Sequence, residues 1–281
     1  MPRSPLLPRA RALAPLIAVT VLVGCSATEQ TATTSIPPTP APVSAPGVAL
    51  TPPLDHLHGL HLTADATVLA GTHTGLFALA DDGNTTRIGT SDDDFMGLTG
   101  TPGTDHLFAS GHPGPSSTAP NPLGLTESTD AGSSWTPKSL VGEVDFHALA
   151  TDGRTLIGFD GVTGLLTSTD AGTTWRPGAT IGATALALTE TGVWAATADG
   201  LQNSTDRGRT FTAIPGAPLL MLLSAAKDGS LWGVDTTGTA WRSRTGREWE
   251  QRAVVAQAEA VLAVDFATAY AATAHTLHPL N

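Results

Sequence analysis

From about position 54 onward the chain is a succession of short apolar alternations separated by turns rich in Gly, Asp and Thr. Alternation with period two marks half-buried strands. No stretch carries the wider apolar stripe of a long amphipathic helix. A typical unit runs Ala185-Leu-Ala-Leu188, a turn, Gly192-Val-Trp-Ala-Ala-Thr197, then Gly200-Leu-Gln-Asn-Ser204, a further turn and a last strand. Such units, each of four antiparallel strands, begin near His58, Met96, His147, Thr184, Met221 and Ala260. The sixth has only three strands before the chain ends at Asn281, and Gly47 to Thr51 can supply its fourth. Pairing the two ends in this way closes a ring and leaves no free sheet edge.

Three turns repeat almost letter for letter: Ser128-Thr-Asp-Ala-Gly-Ser-Ser-Trp135, Ser168-Thr-Asp-Ala-Gly-Thr-Thr-Trp175 and Ser204-Thr-Asp-Arg-Gly-Arg-Thr-Phe211. Ser243-Arg-Thr-Gly-Arg-Glu-Trp249 is a worn copy without the aspartate. The spacings of 40 and 36 residues are periods of propellers and solenoids. The predicted fold is therefore all-β: a six-bladed β-propeller of four-stranded blades, with seven blades as the alternative. Asp130, Asp170 and Asp206 are placed to accept backbone N–H groups within a hairpin turn. Gly132, Gly172 and Gly208 tolerate positive φ. Trp135, Trp175 and Phe211 are expected to pack between neighbouring sheets. This reading makes the turns structural.

The start of the chain has a different character. Arg3, Arg9 and Arg11 precede an apolar run, Ala12 to Val23. The run is too short to span a bilayer, which takes roughly 20 residues, and fits the apolar region of a signal peptide. It ends Leu22-Val23-Gly24-Cys25, which resembles a lipobox. Residues 1–24 are then the lipoprotein signal peptide and Cys25 the lipidated residue. Attached acyl chains give stable anchoring when two or more are present. Cys25 is the only cysteine, so no intramolecular disulfide forms. Residues 25–53 read as a Thr/Pro/Ala-rich extended tether, and 54–281 as the folded domain. The expected location is the outer surface of the cell membrane.

Loss of residues 1–24 takes the formal charge from −11 to −14, because three arginines and no acids leave with them. Lys138 and Lys227 are the only lysines. Without a basic run, nucleic acid is not an expected partner, and attachment to the membrane falls to lipid.

The repeated turns resemble the Asp-box, or BNR repeat, of the sialidase-like superfamily. The whole folded domain resembles actinobacterial lipoproteins often described as glycosylhydrolases or exo-α-sialidases, and is also similar to propellers of the photosystem II stability and assembly factor type. The residues carrying this likeness are His56-Leu-His-Gly59, Thr72-His-Thr-Gly-Leu-Phe77, Phe95-Met-Gly97, Ser110-Gly-His-Pro113, Pro120-Asn-Pro-Leu-Gly-Leu125 and Asp145-Phe-His-Ala-Leu149. A sialidase needs a cluster of three arginines and a tyrosine nucleophile. Here Arg207 and Arg209 fall inside a repeated turn, and the only tyrosine, Tyr270, sits in an apolar strand segment. The expectation is a non-catalytic binding protein; a glycosidase using paired carboxylates stays open.

In the fold that the resemblance implies, first-strand starts and second-to-third-strand loops share one face, opposite the repeated turns. His58, Met96 and His147 occupy first-strand starts, and Met221 shares this position loosely. His73, His112 and Asp160 fall in the second-to-third loops. His56, Asp94 and Asp145 lie just ahead of first strands, and an insertion in the second unit, Pro113 to Pro122, carries Asn121. His61, His106, His275 and His278 do not share this phase cleanly. Histidine with methionine suggests a transition metal, the thioether favouring copper; zinc held by His and Asp is the rival. Three readings of the face stand: a metal site, a polar groove for a protein, peptide or glycan partner, and polar residues that only brace the ring. The expected state is a monomer.

Overall fold

The computed structural model describes residues 43–281, all strands and turns with no helix among them. The expected signal peptide and Cys25 lie outside the described residues. Twenty-four strands form six four-stranded antiparallel sheets, the blades of a β-propeller. The short strand β1 (Val48–Ala49) precedes blade 1, which comprises β2 (Leu57–Leu62), β3 (Val68–Thr72), β4 (Gly75–Leu79) and β5 (Thr85–Ile88). Blade 2 comprises β6 (Asp94–Gly100), β7 (Leu107–His112), β8 (Leu125–Ser128) and β9 (Thr136–Ser139). Blade 3 holds β10 (Ala148–Thr151), β11 (Leu156–Phe159), β12 (Leu165–Ser168) and β13 (Arg176–Pro177). Blade 4 holds β14 (Ala185–Thr189), β15 (Gly192–Thr197), β16 (Gly200–Ser204) and β17 (Thr212–Ala213). Blade 5 holds β18 (Leu220–Ala225), β19 (Leu231–Asp235), β20 (Thr239–Ser243) and β21 (Glu250–Val254). Blade 6 combines β22 (Ala260–Ala263), β23 (Ala269–Thr273) and β24 (Thr276–Leu280) with β1.

The ring closes as the missing fourth strand requires: Val48 pairs with Leu277 and Ala49 with Thr276. The packed chain begins earlier than position 54. Ser44 bridges Val254, Ala45 N donates to the Val254 carbonyl at 2.9 Å, and Ala45 is buried against blades 5 and 6. Leu50 and Leu54 are buried between blades 6 and 1. The end of the Pro-rich stretch is thus a strap across the closure, because Ala45, Leu50 and Leu54 find seams to fill.

The core is a set of apolar clusters, each between two adjacent blades. Strand β7 shows how period two builds it. Leu107 and Ala109 face blade 1, while Phe108 between them faces blade 3. Trp135 stacks on Phe95 with ring centroids 4.8 Å apart, and Trp175 on Phe146 at 4.9 Å.

In the repeated turns, Asp130 Oδ1 accepts from the Ser128 hydroxyl at 2.8 Å and from Ser134 N at 2.9 Å, while Gly132 N donates to Ser128 Oγ at 2.8 Å. The turns at Asp170 and Asp206 repeat this set. Two successive residues take positive φ, Ala131 at 56° and Gly132 at 82°. A β-carbon on Gly132 would lie 2.1 Å from Leu76 of blade 1, so the glycine also admits the neighbouring blade.

First strands line a central channel of about 660 Å³. One mouth presents His58, Met96, His147, Thr184 and Glu259; the other presents Asp152, Glu190, Lys227, Asp228 and Arg244. The waist between them is apolar, with Leu60, Leu98, Leu149, Leu186, Leu223 and Val261.

Candidate metal centre at the channel mouth

His58 is brought to the mouth by a β-bulge. Leu57 pairs with Thr72 and Gly59 with Gly71, so His58 is the extra residue between them. A bulge re-aims a side chain that regular pairing would hold in the sheet pattern. The same irregularity recurs at Met96, between the Asp94–His112 and Gly97–Ser110 pairs, and at Met221, between Leu220 and Leu222. Glycine follows His58 and Met96 because the next blade comes close. A β-carbon on Gly59 would sit 3.1 Å from the Leu98 carbonyl, and one on Gly97 2.4 Å from the Phe146 carbonyl. This approach lets side chains of consecutive blades share a cleft.

In the cleft between blades 1 and 2, His58 Nε2, His73 Nδ1 and the Asp94 carboxylate converge. His58 Nε2 lies 3.4 Å from His73 Nδ1 and 3.3 Å from Asp94 Oδ1; His73 Nδ1 lies 2.9 Å from Asp94 Oδ2. His73 occupies the β3–β4 turn. Arg87 donates to the Thr74 carbonyl in that turn and to the Ser91 carbonyl, tying the turn to the segment that leads into Asp94. Three consecutive aspartates divide their roles. Asp92 accepts from Ser116 Oγ at 2.6 Å, and Asp93 from Gly114 N at 2.9 Å, so both hold the blade 2 insertion. Asp94 is left for the histidines.

Protons alone do not satisfy this trio. If His73 Nδ1–H donates to Asp94, it has no lone pair for His58 Nε2. If it accepts from His58, its lone pair faces a carboxylate oxygen at 2.9 Å. Asp94 Oδ1 is buried without a hydrogen-bond partner, since His58 approaches it without hydrogen-bond alignment. Burial acts first on His58, and its pKa falls to about 4 despite the opposing pull of Asp94. Its imidazole is therefore neutral at pH 7, the state in which a ring nitrogen binds metal. Ligand bonds of about 2.0–2.1 Å in a tetrahedral zinc site imply ligand–ligand edges of about 3.3–3.4 Å. Two of the observed spacings have that length.

His56 stands beside the trio, its ring 4.9 Å from that of His58 and 5.5 Å from that of His73. Its Nδ1 lies 2.9 Å from Glu259 Oε2. Glu259 also accepts from Leu57 N at 2.7 Å and Ala274 N at 3.2 Å, stitching blade 6 to blade 1. Glu259 was not among the sequence candidates, yet a signal existed. The residue ahead of each first-strand start is Leu57, Phe95, Phe146, Ala183 or Leu220 in five blades, all buried, and glutamate in the sixth.

The remaining candidates do not join this trio. His112, Asp145 and His147 meet in the next cleft, between blades 2 and 3, with Asn121 beside His112. Met96 lines the channel mouth, but Met221 is exposed and absent from the channel lining despite its shared bulge. Asp160 serves its own turn, accepting from Val162 N at 2.9 Å and Thr163 N at 2.7 Å. Burial works upward on its pKa, but the Thr163 hydroxyl and these amides outweigh it and hold the carboxyl below its ordinary range. Of the histidines set aside from the sequence, His61 is buried in the blade 1–2 wall, with Nε2 2.7 Å from the Thr104 carbonyl. His106 pairs with Glu127 at 2.7 Å, and His278 lies 3.0 Å from the Pro46 carbonyl. His275, by contrast, sits in the β23–β24 turn, on the face of the candidate site. Tyr270 is half-buried in β23 opposite Leu262 and Pro279.

No protein-family model and no curated protein matches the chain. Many solved structures resemble it. A GH74 enzyme from Niastella koreensis is 19% identical with a TM-score of 0.52, the match covering 74% of this chain and 38% of the enzyme. The chain thus spans well under half the length of that enzyme. YCF48 from Cyanidioschyzon merolae is 14% identical with a TM-score of 0.54, covering 85% of this chain and 99% of that one. YCF48 bound to D1 peptide is 15% identical with a TM-score of 0.50, covering 82% and 81%. Likeness at these identities shows a shared β-propeller fold.

Proposed function

We propose that the chain is an exported, lipid-anchored and non-catalytic propeller that binds a transition-metal ion at His58, His73 and Asp94. The observation that carries this reading is the trio's unsatisfied geometry: two ring nitrogens and a buried, unpartnered carboxylate oxygen facing one another at coordination spacing. The nitrogen and oxygen donors suit Zn(II) or Cu(II). Cu(I) would need a softer donor, for which Met96 at the same mouth is the candidate. His56 is engaged with Glu259 and stands outside the converging set, so the fourth position is left to solvent. In this reading, lipidation at Cys25 after loss of residues 1–24 puts the site on the outer face of the membrane, where the mature chain's formal charge of −14 favours cations.

The test is metal analysis of full-length protein purified in detergent without an affinity tag, followed by titration with Zn(II), Cu(II) and Cu(I). One ion should bind tightly at this cleft and be lost in His58→Ala and Asp94→Ala. Absence of tight binding, or binding indifferent to both substitutions, overturns the reading. A second reading, a protein or glycan partner on the same face, is favoured by the insertion that Asp92 and Asp93 hold there. The likeness to a propeller described as bound to D1 peptide is in keeping with it.

A further inference from the structure

In blades 2 and 3 the indole of the repeated turn is covered by the residue ahead of the first-strand start: Trp135 by Phe95 and Trp175 by Phe146. In blade 5 the equivalent residue is Leu220, which has no ring to lay on Trp249. A cleft of about 280 Å³ opens there, at the seam of blades 4 and 5, lined by Trp249, Trp241, Pro218, Leu219 and Asp235. Gly216 borders it, and a β-carbon on that glycine would meet nothing within 4 Å.

The polar ends of both indoles are engaged. Trp241 Nε1 donates to Asp235 Oδ2 at 2.8 Å, and Trp249 Nε1 to the Gly246 carbonyl at 3.1 Å. The cleft therefore offers π-surface and aliphatic carbon rather than indole N–H. Asp235 adds a negative charge. Burial pushes its carboxyl up, but the Thr237 hydroxyl, the Trp241 indole and the amides of Thr237 and Thr239 outweigh it and hold the carboxyl below its ordinary range. An aromatic face beside a carboxylate attracts a cation, arginine more often than lysine. Leu219 at the rim and Met221 two residues on stay 47% and 49% exposed, apolar surface for the stem of such a side chain.

The charge of the surrounding face selects the same ligand. From β1 onward its loops, with the strand residues that flank them, carry an acid in every blade: Asp55, Asp93, Asp160, Asp199, Asp235 and Glu259. They carry no Lys or Arg, whereas the opposite turns hold Arg154, Arg207, Arg209, Lys227, Arg244 and Arg247. Arg87 reaches this side from β5 but is engaged by the Thr74 and Ser91 carbonyls. A face of one sign steers in partners of the other and sets their register. We propose that the blade 4–5 cleft takes an arginine or lysine side chain from a basic segment of a partner protein, with the stem on Pro218 and Leu219 and the charge between the Trp241 ring and Asp235. This gives a chemistry to the protein partner of the second reading, on which it rests, and uses no ligand of the blade 1–2 cleft.

The probe is a capped hexapeptide of alternating glycine and arginine, titrated into the full-length chain in detergent and chelator, with calorimetry and tryptophan fluorescence as readouts and circular dichroism as the folding control. Chelator keeps metal out of the blade 1–2 cleft, so the result does not depend on that site. The peptide should bind, shift the tryptophan emission and bind more weakly as salt rises. Trp241→Leu should weaken it about 5- to 10-fold through loss of the cation–π contact. Leu219→Ser, at an exposed position, should also weaken it and serves where Trp241→Leu misfolds. The same peptide with glutamate for arginine should not bind. No binding of the arginine peptide, or equal binding of the glutamate one, overturns the proposal. Binding indifferent to both substitutions overturns the cleft and leaves a basic partner held elsewhere on the face. Binding of cellohexaose in place of the peptide, lost in Trp241→Leu, makes the cleft a glycan site and overturns the proposal as well.

Discussion

The Asp94 carboxylate meets His73 Nδ1 at 2.9 Å across a blade boundary, so one polar contact both joins two sheets and anchors the candidate site. Residues from one blade alone do not build it: His58 and His73 come from blade 1, Asp94 from blade 2. An ion bound here should therefore report as ring stability. At about 100 times its dissociation constant, an ion that binds only the folded state adds roughly 2.7 kcal/mol. For a domain of this size that corresponds to a rise in melting temperature of about 5–10 °C. Differential scanning calorimetry with and without Zn(II) should show this rise in wild type. Asp94→Asn should abolish the part of the rise due to this site, with little effect on the metal-free protein.

Glu259 accepts two backbone N–H groups at the blade 6–1 boundary, from Leu57 of blade 1 and Ala274 of its own blade. Glu259→Ala leaves the Leu57 amide without its partner beside a buried side chain. An unsatisfied buried donor costs about 1–3 kcal/mol. Chemical denaturation should show a loss in that range, and Glu259→Gln, which keeps an acceptor oxygen, should recover part of it.

The fold was legible because its turns repeat and its strands alternate. Leu107, Phe108 and Ala109 face opposite clefts at period two, and Ser128, Ser168 and Ser204 open turns with the same bonds. Phase also placed His58, Met96 and His147 at one mouth. Phase could not divide the face into two clefts, because that depends on how close consecutive blades come at Gly59 and Gly97. Nor could it show that Asp160 turns back on Thr163, which is a local competition between a side chain and its own backbone. Glu259 was readable in principle, as the one acid at a phase otherwise apolar. Two strap residues, Ala45 and Leu50, were hidden by the Pro-rich composition around them.

Stability should fall with acid from about pH 6.5 downward, through two histidines held neutral by burial. Burial holds His61 below the ordinary histidine range, with the Thr104 hydrogen bond opposing, and burial likewise puts His58 at about 4. Both take up a proton more readily unfolded than folded. Their contribution is present above the unfolded pKa of about 6.5 and is lost as pH falls through 6.5 toward the folded values. Unfolding free energy measured in chelator from pH 8 to pH 4.5 should decline across that interval. His61→Gln, which removes one of the two titrating groups, should make the decline shallower. Zinc affinity should weaken over the same interval, because protons compete for ring nitrogens.

Two glycines with nearly the same φ should respond differently to alanine. Gly132 has φ 82° and Gly216 φ 78°. Either substitution forces an L-residue into the left-handed region, at about 1–2 kcal/mol. At Gly216 a β-carbon meets nothing within 4 Å, so strain is the whole cost. At Gly132 it would lie 2.1 Å from Leu76 Cδ2, a fully buried side chain of the next blade. Relieving that overlap moves Leu76 against Trp135 and the blade 1–2 core, and overpacking of this kind adds about 1–3 kcal/mol. Gly216→Ala should therefore cost about 1–2 kcal/mol in urea denaturation, and Gly132→Ala about 2–5. Equal losses would mean that the repeated turn contributes only its backbone geometry. A larger loss at Gly132 would mean that it also sets the spacing between blades, and with it the clefts on the opposite face where the histidines meet.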